Sequence, residues 1–424
     1  MQRYEKYKDS GVDWIGEIPV EWNILKLKFL FKDVSIKNRP DLDLLSVTQD
    51  QGVVPRSMVE NRMVMPNGNL ESFKVISKGD FAISLRSFEG GLEYSEYEGL
   101  ISPAYTVLKS QKEIIDNYFK FLFKSKAFIS ELQLSIVGIR EGKNISYEEL
   151  KYSYTPIPTL EEQQTIANFL DDKTAKIDQT IAIKQKEIEL LKERRQILIQ
   201  KAVTKGLDDT VTLKDSGVDW IGDIPEHWEV RKITYLFSKI GSGTTPTSGD
   251  LRYYDGVINF LQTGDLNDGY IISTSKTLKE KALRDFTSLK IYPKESLVIA
   301  MYGATIGKLG ILNIDSATNQ ACCVLSNPRN VLTKYFFFVL LAFRKEIVSM
   351  GYGGGQPNIS QDLIKSLRFP IANLNEQIQI VSYLEVIEEK ISKAILLKQQ
   401  EIEKLKEYKT VLIDQVVTGK VKIN

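Results

Sequence analysis

Few residues of this 424-residue chain are of the types that build metal centres or disulfide frameworks, since it has two cysteines and one histidine. The cysteines, Cys322 and Cys323, are adjacent, so they form neither a disulfide framework nor a spaced metal knuckle. The histidine, His227, lies beside Trp228, and we interpret it as a packing residue. The composition therefore predicts a reducing compartment and no metal site.

Long apolar segments and a strong charge of one sign are missing too. The longest apolar run, Tyr335–Phe343, falls far short of the ~20 residues that cross a bilayer. The N-terminus, MQRYEKYKDSG, has no apolar core of a secretory signal. We therefore expect a soluble, cytoplasmic protein. The net charge of +1 leaves nucleic-acid binding open, because a basic face can be local.

Catalytic signatures are not found in the sequence. Residues Gly303–Leu309 resemble a phosphate-binding loop, but they have one residue too few between the glycines and end in leucine instead of a hydroxyl residue. We find no His/Cys cluster, no G-x-S-x-G elbow and no Asn-Pro-Pro-aromatic motif of adenine methyltransferases. In a chain of this length, this pattern favours a non-catalytic role.

What the chain does have is an internal repeat. Lys8–Phe31, KDSGVDWIGEIPVEWNILKLKFLF, matches Lys214–Phe237, KDSGVDWIGDIPEHWEVRKITYLF, at 15 of 24 positions. Thr155–Leu207 matches Phe369–Val421 at 22 of 53 positions. The segments between the repeats, 32–154 and 238–368, show little alignment, and we call them the two bodies. The pattern predicts a pseudo-two-fold molecule in which one scaffold carries two different surfaces.

The second repeated segment predicts two long helices. Thr159 with Glu162, and Asn373 with Glu376, fit capping boxes. Apolar residues then recur at 3–4 spacing over nearly five heptads, which is typical of a coiled coil. Cations interrupt this seam at equivalent positions, Lys184 and Lys398, then Arg195 and Lys409. The predicted helix-pairing residues are Leu170, Ile177, Ile181, Ile188, Leu191, Leu198, Leu384, Ile391, Ile395, Ile402, Leu405 and Leu412.

Each copy is the natural partner of the other, because a common chain raises their effective concentration, and the repeat then requires an antiparallel pair. The alternative is that each helix packs only against its own body. About 44 residues correspond to a helix of roughly 66 Å.

The two bodies combine β-rich runs, such as 81–85 and 296–300, with aromatic helical stretches at 118–132 and 335–350. They also carry polar, Gly-rich loops whose side chains suit hydrogen bonds to phosphates and base edges. Solvated turns of a sheet are the alternative for any one loop. The candidate DNA contacts are Arg86, Ser87, Arg140, Lys143, Asn144, Thr244, Thr245, Tyr302, Thr305, Lys308, Gln356 and Asn358.

Taken together, these motifs resemble the specificity (S) subunits of type I restriction-modification systems over essentially the whole chain. The matching segments are the two KDSGVDWIG copies, LRSFEGGLEYSEYEGLISPAYTVL at 85–108, MYGATIGKLGIL at 301–312, ATNQACCVL at 317–325, GGGQPNIS at 353–360, PIPTLEEQQTI at 156–166 and PIANLNEQIQI at 370–380. The second helix opening has Ala372 and Asn373 where the first has Pro158 and Thr159.

The resemblance implies an α+β fold: two target-recognition domains of mixed α/β content joined by two long antiparallel coiled-coil helices. The expected boundaries are 1–155 and 209–369 for the target-recognition domains, and 156–208 and 370–424 for the conserved spacer helices. Each domain would read half of an asymmetric bipartite site in double-stranded DNA.

The resemblance also implies partners: two methyltransferase (M) subunits and, in the full complex, two restriction (R) motor-nuclease subunits. This chain would bind no cofactor, with S-adenosylmethionine, ATP and Mg expected only on the partner subunits. Two alternatives stay open here, a coiled-coil scaffold that does not bind DNA and a self-sufficient methyltransferase.

Overall fold

The computed structural model of the chain describes residues 2–59, 70–137, 144–352 and 358–423. Within these ranges the chain forms two compact units that do not follow chain order. Unit 1 comprises residues 1–185 and 399–424, and unit 2 comprises residues 186–398. Each unit therefore contains one body, the first part of one long helix and the last part of the other.

The strands are β1 (Tyr7–Asp9), β2 (Glu17–Pro19), β3 (Asn23–Lys26), β4 (Phe31–Val34), β5 (Leu45–Thr48), β6 (Gly52–Pro55), β7 (Lys74–Ile76), β8 (Phe81–Ile83), β9 (Glu93–Tyr94), β10 (Gly99–Ile101), β11 (Thr106–Ser110), β12 (Ile136–Val137), β13 (Asn144–Ile145), β14 (Tyr154–Ile157), β15 (Leu213–Asp215), β16 (Asp223–Pro225), β17 (Glu229–Lys232), β18 (Phe237–Gly241), β19 (Tyr254–Leu261), β20 (Gly269–Ile271), β21 (Lys276–Leu278), β22 (Ile291–Tyr292), β23 (Leu297–Ala300), β24 (Leu309–Leu312), β25 (Ser316–Thr318), β26 (Cys322–Pro328) and β27 (Arg368–Ile371). The helices are α1 (Ser87–Gly90), α2 (Asp116–Leu122), α3 (Lys126–Leu132), α4 (Tyr147–Leu150), α5 (Leu160–Lys205), α6 (Ile233–Leu236), α7 (Glu280–Asp285), α8 (Thr333–Ala342), α9 (Arg344–Ser349), α10 (Gln361–Ser366) and α11 (Leu374–Val417).

The main sheets of the two bodies have the same strand order despite their different sequences. In unit 1 the order is β4-β11-β8-β9, and in unit 2 it is β18-β26-β23-β24 with β20 added at one side. The registers also correspond, because Phe81 lies opposite Leu108 and Leu297 lies opposite Leu325. Burial explains the match, since β8 and β23 are buried along their whole length and need apolar residues of no particular identity.

Helices cover these sheets, but each predicted aromatic helix is broken into two. Residues 118–132 fall in α2 and α3, and residues 335–350 fall in α8 and α9. In the first case Ser125 lies between the two helices. Its hydroxyl donates to Leu122 O at the end of α2 and accepts from Phe128 N at the start of α3. The aromatic side chains of this region still fill the core, where Phe119 of α2 packs edge-on against Phe31 and Phe123, just after α2, packs tilted against it.

We call the repeated segments the frame; they are residues 8–31 with 155–207 and residues 214–237 with 369–421. The frame holds each long helix by its first turn. Thr159 Oγ1 accepts from Glu162 N, and Asn373 Oδ1 accepts from Glu376 N, as the predicted caps require. The second half of the capping box, a bond from the backbone N–H of the cap residue to the glutamate carboxylate, differs from the prediction in both copies. In the first copy the Glu162 carboxylate accepts from the indole of buried Trp22 at 2.8 Å. The Glu376 carboxylate likewise accepts from Trp228 at 3.2 Å, although it also accepts from Asn373 Nδ2.

Helices α5 and α11 pack together as an antiparallel pair in each unit, which confirms the predicted fold. In unit 1, Asp178 contacts Lys409 and Lys184 contacts Glu401. In unit 2, Glu187 contacts Lys398 and Arg195 contacts Glu388. As the residue number rises along α5 it falls along α11, so the two helices run in opposite directions. Ion pairing also explains the four cations in the seam, because each one meets a carboxylate of the other helix.

All the predicted pairing residues are buried or half-buried. The helices also pack into the bodies near their ends, but not only against their own body as the alternative required. Leu170 and Leu412 belong to the core of unit 1, and Leu384 belongs to the core of unit 2. The end of α11 closes the core of unit 1, where Val417 O accepts a hydrogen bond from the buried Tyr118 hydroxyl.

Candidate nucleic-acid interface

Several loops that are distant in sequence meet at one edge of the main sheet in unit 2. We call this edge 2, and it comprises residues 242–249, 301–308, 319–321 and 358–361. Met301 N donates to Ala321 O, and Ile359 N donates to Met301 O, both at 2.8 Å. Gly243 N donates to Asn319 O at 3.3 Å. The segments 301–312 and 317–325, which were identified separately in the sequence, therefore converge with residues 242–249 and 358–361.

A glycine is required where the first of these loops crosses the sheet. A Cβ on Gly243 would lie 1.7 Å from the carbonyl oxygen of Thr318. Any other residue would push the loop away from the strand end. This close approach brings Thr244 and Thr245, both half-buried, to the end of β25.

At the centre of edge 2 is a small polar cluster. Thr245 Oγ1 donates to Gln320 Oε1 at 2.6 Å, and the Tyr302 side chain is also hydrogen-bonded to Gln320. Burial raises the pKa of Tyr302, so its hydroxyl keeps its proton at neutral pH. Hydroxyl and amide groups both donate and accept hydrogen bonds, which suits recognition of base edges.

Thr305 and Lys308 lie on the turn between β23 and β24, and both side chains are half-buried. The turn joins two antiparallel strands, so the strand–loop–helix arrangement of a phosphate-binding loop does not occur here. Arg344 of α9 helps to fix the turn through Asp268. Its guanidinium pairs in a bidentate manner with Asp268, whose Oδ1 also accepts from Leu309 N at 3.0 Å.

Asn358 is exposed and exchanges backbone hydrogen bonds of 2.8 and 3.0 Å with Tyr352. The next residue, Ile359, is bonded to Met301, so Asn358 lies at edge 2. Gln356, a predicted contact, lies outside the described residues.

Edge 1 is the equivalent region of unit 1, and comprises residues 49–52, 84–91, 133–136 and 144–146. Arg86 is exposed and follows β8, in the position that Tyr302 has after β23. The Gln49 amide donates to Arg86 O at 3.3 Å and so joins two loops. Ser87 is fully buried, and its hydroxyl accepts from Ser84 N at 2.8 Å, which stabilises the turn that presents Arg86.

Strands β12 and β13 pair antiparallel, and Asn144 of β13 is exposed. Gln133 Nε2 donates to Phe88 O at 3.4 Å, and α1 packs against β13. The structure therefore brings Arg86 and Asn144 to the same edge. Arg140 and Lys143 lie outside the described residues.

A buried ion pair holds edge 1 together. Lys124 Nζ donates to both carboxylate oxygens of Glu93 at 2.7 Å and to the carbonyls of Gln49 and Gly90 at 3.0 and 2.9 Å. The Glu93 side chain is fully buried, and this burial raises its pKa to about 7 even though Lys124 acts in the opposite direction. One lysine thus fixes both loops around Arg86.

Gln49 and Gln320 are the edge residues that the sequence interpretation missed. Gln49 directly follows β5, and Gln320 lies two residues before β26; both strands reach the edge. A search for amide side chains within two residues of predicted strand ends would have found both. Their partner loops, however, are 37 and 75 positions away in sequence.

Two other predictions concern metals and membranes. Among residues 2–59, 70–137, 144–352 and 358–423, no group of His, Cys, Asp and Glu side chains is arranged to hold a metal ion. In the same ranges, no helix combines the length and apolar character needed to traverse a bilayer. His227 is half-exposed with Nε2 2.9 Å from Glu376 Oε1, so it joins the frame contact at the start of α11.

Comparisons with known proteins agree on one family. The family described as the type I restriction modification DNA specificity domain matches residues 19–193 and again 225–407. The chain is 26% identical over 436 residues to a putative type I restriction enzyme MjaX specificity subunit of Methanocaldococcus jannaschii, with 96% of each chain covered. It is 24% identical over 273 residues to the EcoBI specificity subunit of Escherichia coli, covering 60% of this chain and 56% of that one.

Solved structures share the fold at low sequence identity. A chain from a study of complex assembly and conformational transition in the type I R-M system matches with a TM-score of 0.74 at 13% identity, over 95% of this chain and 99% of that one. The HsdS subunit from Thermoanaerobacter tengcongensis matches with a TM-score of 0.54 at 14% identity, over 95% and 98% of the two chains. The repeated frame, the two sheet edges and the twofold family match lead to one conclusion: the chain belongs to the type I restriction-modification DNA specificity family, as a non-catalytic specificity subunit.

Proposed function

We propose that the chain reads an asymmetric, bipartite site in double-stranded DNA, with edge 1 and edge 2 each reading one half-site. The observation that carries this proposal is the placement of the two edges. They follow equivalent strands of the same sheet order, yet they present different side chains on a repeated frame. Two domains that recognise different DNA sequences need the same framework with different surface residues, and the two copies have this arrangement.

The chemistry of the edges supports different half-sites. Edge 1 presents Arg86, and a guanidinium can bond in a bidentate manner to guanine O6 and N7. Edge 2 presents Thr245, Tyr302 and Gln320, whose hydroxyl and amide groups pair with adenine or with mixed base edges. Lys308 supplies a cation for a phosphate. Because these sets differ, the full site is not palindromic.

The long helices set an upper limit on the distance between half-sites. Helix α5 has 46 residues, which corresponds to about 69 Å at 1.5 Å per residue. At about 3.4 Å per base step this equals roughly 20 base pairs. Insertion of residues into both helices would therefore lengthen the spacer.

Methylation and cleavage belong to partners in this proposal. Two methyltransferase subunits bind the chain, and two restriction subunits join them in the full complex. S-adenosylmethionine, ATP and Mg are bound by those subunits, and the chain itself binds no cofactor.

Mapping of methylated bases tests the proposal. The chain is co-expressed with its methyltransferase subunit in a host that lacks other adenine methylation, and methylated positions are sequenced. We expect one asymmetric site with two defined halves and a fixed spacer. A variant with edge 2 exchanged for that of a relative should change one half only. Methylation without a specificity subunit, or a purified complex that shifts no duplex from a randomised pool, would contradict the proposal.

A further inference from the structure

Edge 1 exposes two leucines beside its polar residues. Leu85 lies between β8 and Arg86, and it is 52% exposed. Leu134 lies in the short turn Gln133–Ser135 between α3 and β12, and it is 81% exposed. Neither leucine belongs to a hydrophobic cluster of the described residues. Both therefore present apolar surface to any molecule that binds at edge 1.

The neighbours of Leu134 hold it in this exposed position. Ser135 is buried, and its carbonyl oxygen accepts a hydrogen bond from Ser146 N at 3.0 Å. On the other side, Gln133 Nε2 donates to Phe88 O at 3.4 Å, which ties the turn to α1. Because the residues before and after it are both held, Leu134 cannot turn inward without breaking these contacts.

Edge 2 shows what an apolar residue at the position of Leu85 does when it serves folding. In the matching registers of the two sheets, Phe81 corresponds to Leu297. Further along the same strands, Leu85 therefore corresponds to Met301. Met301 is 6% exposed and belongs to the core of unit 2. Packing thus explains an apolar residue at position 301, but it does not explain one at position 85.

The location of the two leucines gives them more weight than their exposure alone. Single exposed leucines are common on protein surfaces and need no function. Leu85 and Leu134, however, come from separate loops that meet at the edge that also carries Arg86 and Asn144. A polar side chain at either position would serve stability equally well. Two leucines at one edge therefore indicate an apolar group in the ligand.

The polar residues of edge 1 indicate which apolar group this is. In the proposed function, Arg86 pairs with guanine and the Asn144 amide suits adenine, and both bases present these groups in the major groove. Among the groups that base pairs present in that groove, the C5 methyl of thymine is the apolar one. Insertion of an apolar wedge between base steps is instead typical of proteins that bind the minor groove. The chemistry of the edge therefore favours thymine.

We propose that Leu85 and Leu134 contact the C5 methyl groups of thymines in the first half-site and so select thymine over cytosine there. This inference deepens the proposed function and rests on it. An A·T pair then offers its adenine edge to Asn144 and its thymine methyl to a leucine, so both bases of one pair are recognised. Leu134 is the more exposed of the two and makes the larger contact.

Removal of single methyl groups from the DNA tests the proposal. The first half-site is defined by selection from randomised duplexes with the full-length chain in complex with its methyltransferase subunits. Each thymine of this half-site is then replaced by uracil, which pairs with adenine but lacks the C5 methyl. Dissociation constants are measured for the wild type, Leu85→Ala, Leu134→Ala and Leu134→Met, and thermal melting confirms that each variant folds.

Phe29→Ala is the matched control. Phe29 is 51% exposed in the same unit, but it precedes β4 at the end of the sheet opposite edge 1. The control should therefore bind every duplex as the wild type does.

We expect uracil at a contacted thymine to weaken binding of the wild type about fourfold, which corresponds to one buried methyl group. The alanine variant that has lost this contact should bind the thymine and uracil duplexes equally, because the methyl no longer has a partner. Leu134→Met should keep the sensitivity, since methionine supplies an apolar side chain of similar size. Recognition of the second half-site should not change in any variant.

A wild type that binds all uracil duplexes as well as the thymine duplex would overturn the inference, as would a first half-site without A·T pairs. Equal uracil effects in the wild type and in both alanine variants would also overturn it. Weaker binding of the leucine variants to all duplexes, without any uracil effect, would overturn it in favour of insertion between base steps. Specific binding that ignores uracil leaves the proposed function intact, whereas a complex that shifts no duplex contradicts that function itself.

Discussion

Edge 1 and edge 2 are held in place by unrelated ion pairs at comparable positions. In edge 1, Lys124 from the end of α2 reaches buried Glu93 on β9. In edge 2, Arg344 of α9 reaches Asp268 on the loop before β20. Both pairs fix a loop next to the turn that follows the central strand. Each edge therefore needs to be rigid, and different pairs of residues can provide that rigidity.

The frame, in contrast to the edges, makes the same contacts with the same residue types in both units. Trp22 with Glu162 and Trp228 with Glu376 repeat the same contact in the two units. Gln163 and Gln377 also make equivalent bonds, each donating to the carbonyl five residues earlier. These contacts orient the first turn of each long helix, so a change in one copy would alter the helix direction. The frame is constrained by geometry, whereas the edges are constrained only by stability and by what they bind.

Removal of the second repeat should have the largest effect, because it changes both the assembly of the chain and the site that it recognises. A chain that ends near Asp209 loses residues 399–424, including Val416 and Val417 from the core of unit 1. The repeat places Ala202 and Val203 at the equivalent positions. A second molecule can supply them, so we expect a homodimer that directs methylation to a palindrome of the first half-site. Analytical ultracentrifugation and methylation mapping check this, and a folded monomer would contradict it.

Disruption of the helix seam should cost several kcal/mol. Ile188 and Ile402 are equivalent and deeply buried, at 2% and 6% exposure. Aspartate at either position buries an unpaired carboxylate, with an expected loss of about 3–5 kcal/mol in the free energy of unfolding. Ile183→Asp is the control, because Ile183 is 54% exposed on the same helix. Urea denaturation measures both, and equal losses would exclude a buried seam at Ile188.

The buried pair of edge 1 predicts that the stability of the chain depends on pH. The pKa of Glu93 is raised from 4.5 to about 7, with burial as the main cause. A carboxyl group whose pKa is raised on folding contributes its full stabilisation below pH 4.5, and loses it as the pH rises through about 7. The wild type should therefore lose about 3 kcal/mol relative to Glu93→Gln across this window. Denaturation from pH 4.5 to pH 8, with Glu89→Gln as an exposed control, would reveal a flat difference if the pair were not buried.

Alanine substitutions at base-contacting residues of one edge should change recognition of one half-site only. Tyr302→Ala, Thr245→Ala or Gln320→Ala should each weaken DNA binding by about 1–3 kcal/mol and relax only the second half-site. Arg86→Ala should act on the first half-site only. Lys308→Ala should weaken binding to all sequences and reduce its salt dependence. Lys294→Ala is the control, because this exposed lysine precedes β23 at the opposite end. Selection from randomised duplexes measures these effects, and effects on the wrong half would refute the assignment.

The ion pairs between the helices should have the smallest effect. Lys184→Glu places two carboxylates together at Glu401, and we expect a loss of about 0.2–1 kcal/mol in the free energy of unfolding. Adding Glu401→Lys should restore most of it, because the pair is then reversed rather than broken. The equivalent exchange at Lys398 and Glu187 should behave alike. A double-mutant cycle with no coupling energy would show that the seam alone sets the register.

Features that depend on periodicity and repetition could be predicted from the sequence alone. Two copies of one frame, the caps at Thr159 and Asn373, the two long helices and the strands at 81–83 and 297–300 all follow from local residue patterns. Their antiparallel pairing follows as well, because two equivalent helices in one chain pair most simply about a two-fold axis. The family resemblance rests on the same repeated segments.

Only the tertiary structure decided how the edges are built and which helix end belongs to which body. Gln320 meets Thr245 across 75 positions, and Lys124 meets Glu93 across 31, so no local pattern announces either contact. The sequence also marked Ser87 as a candidate contact because it is polar, whereas its hydroxyl is used inside a turn. The physical reason is that helices and strands form from interactions between near neighbours, whereas an edge forms where the sheet brings remote loops together.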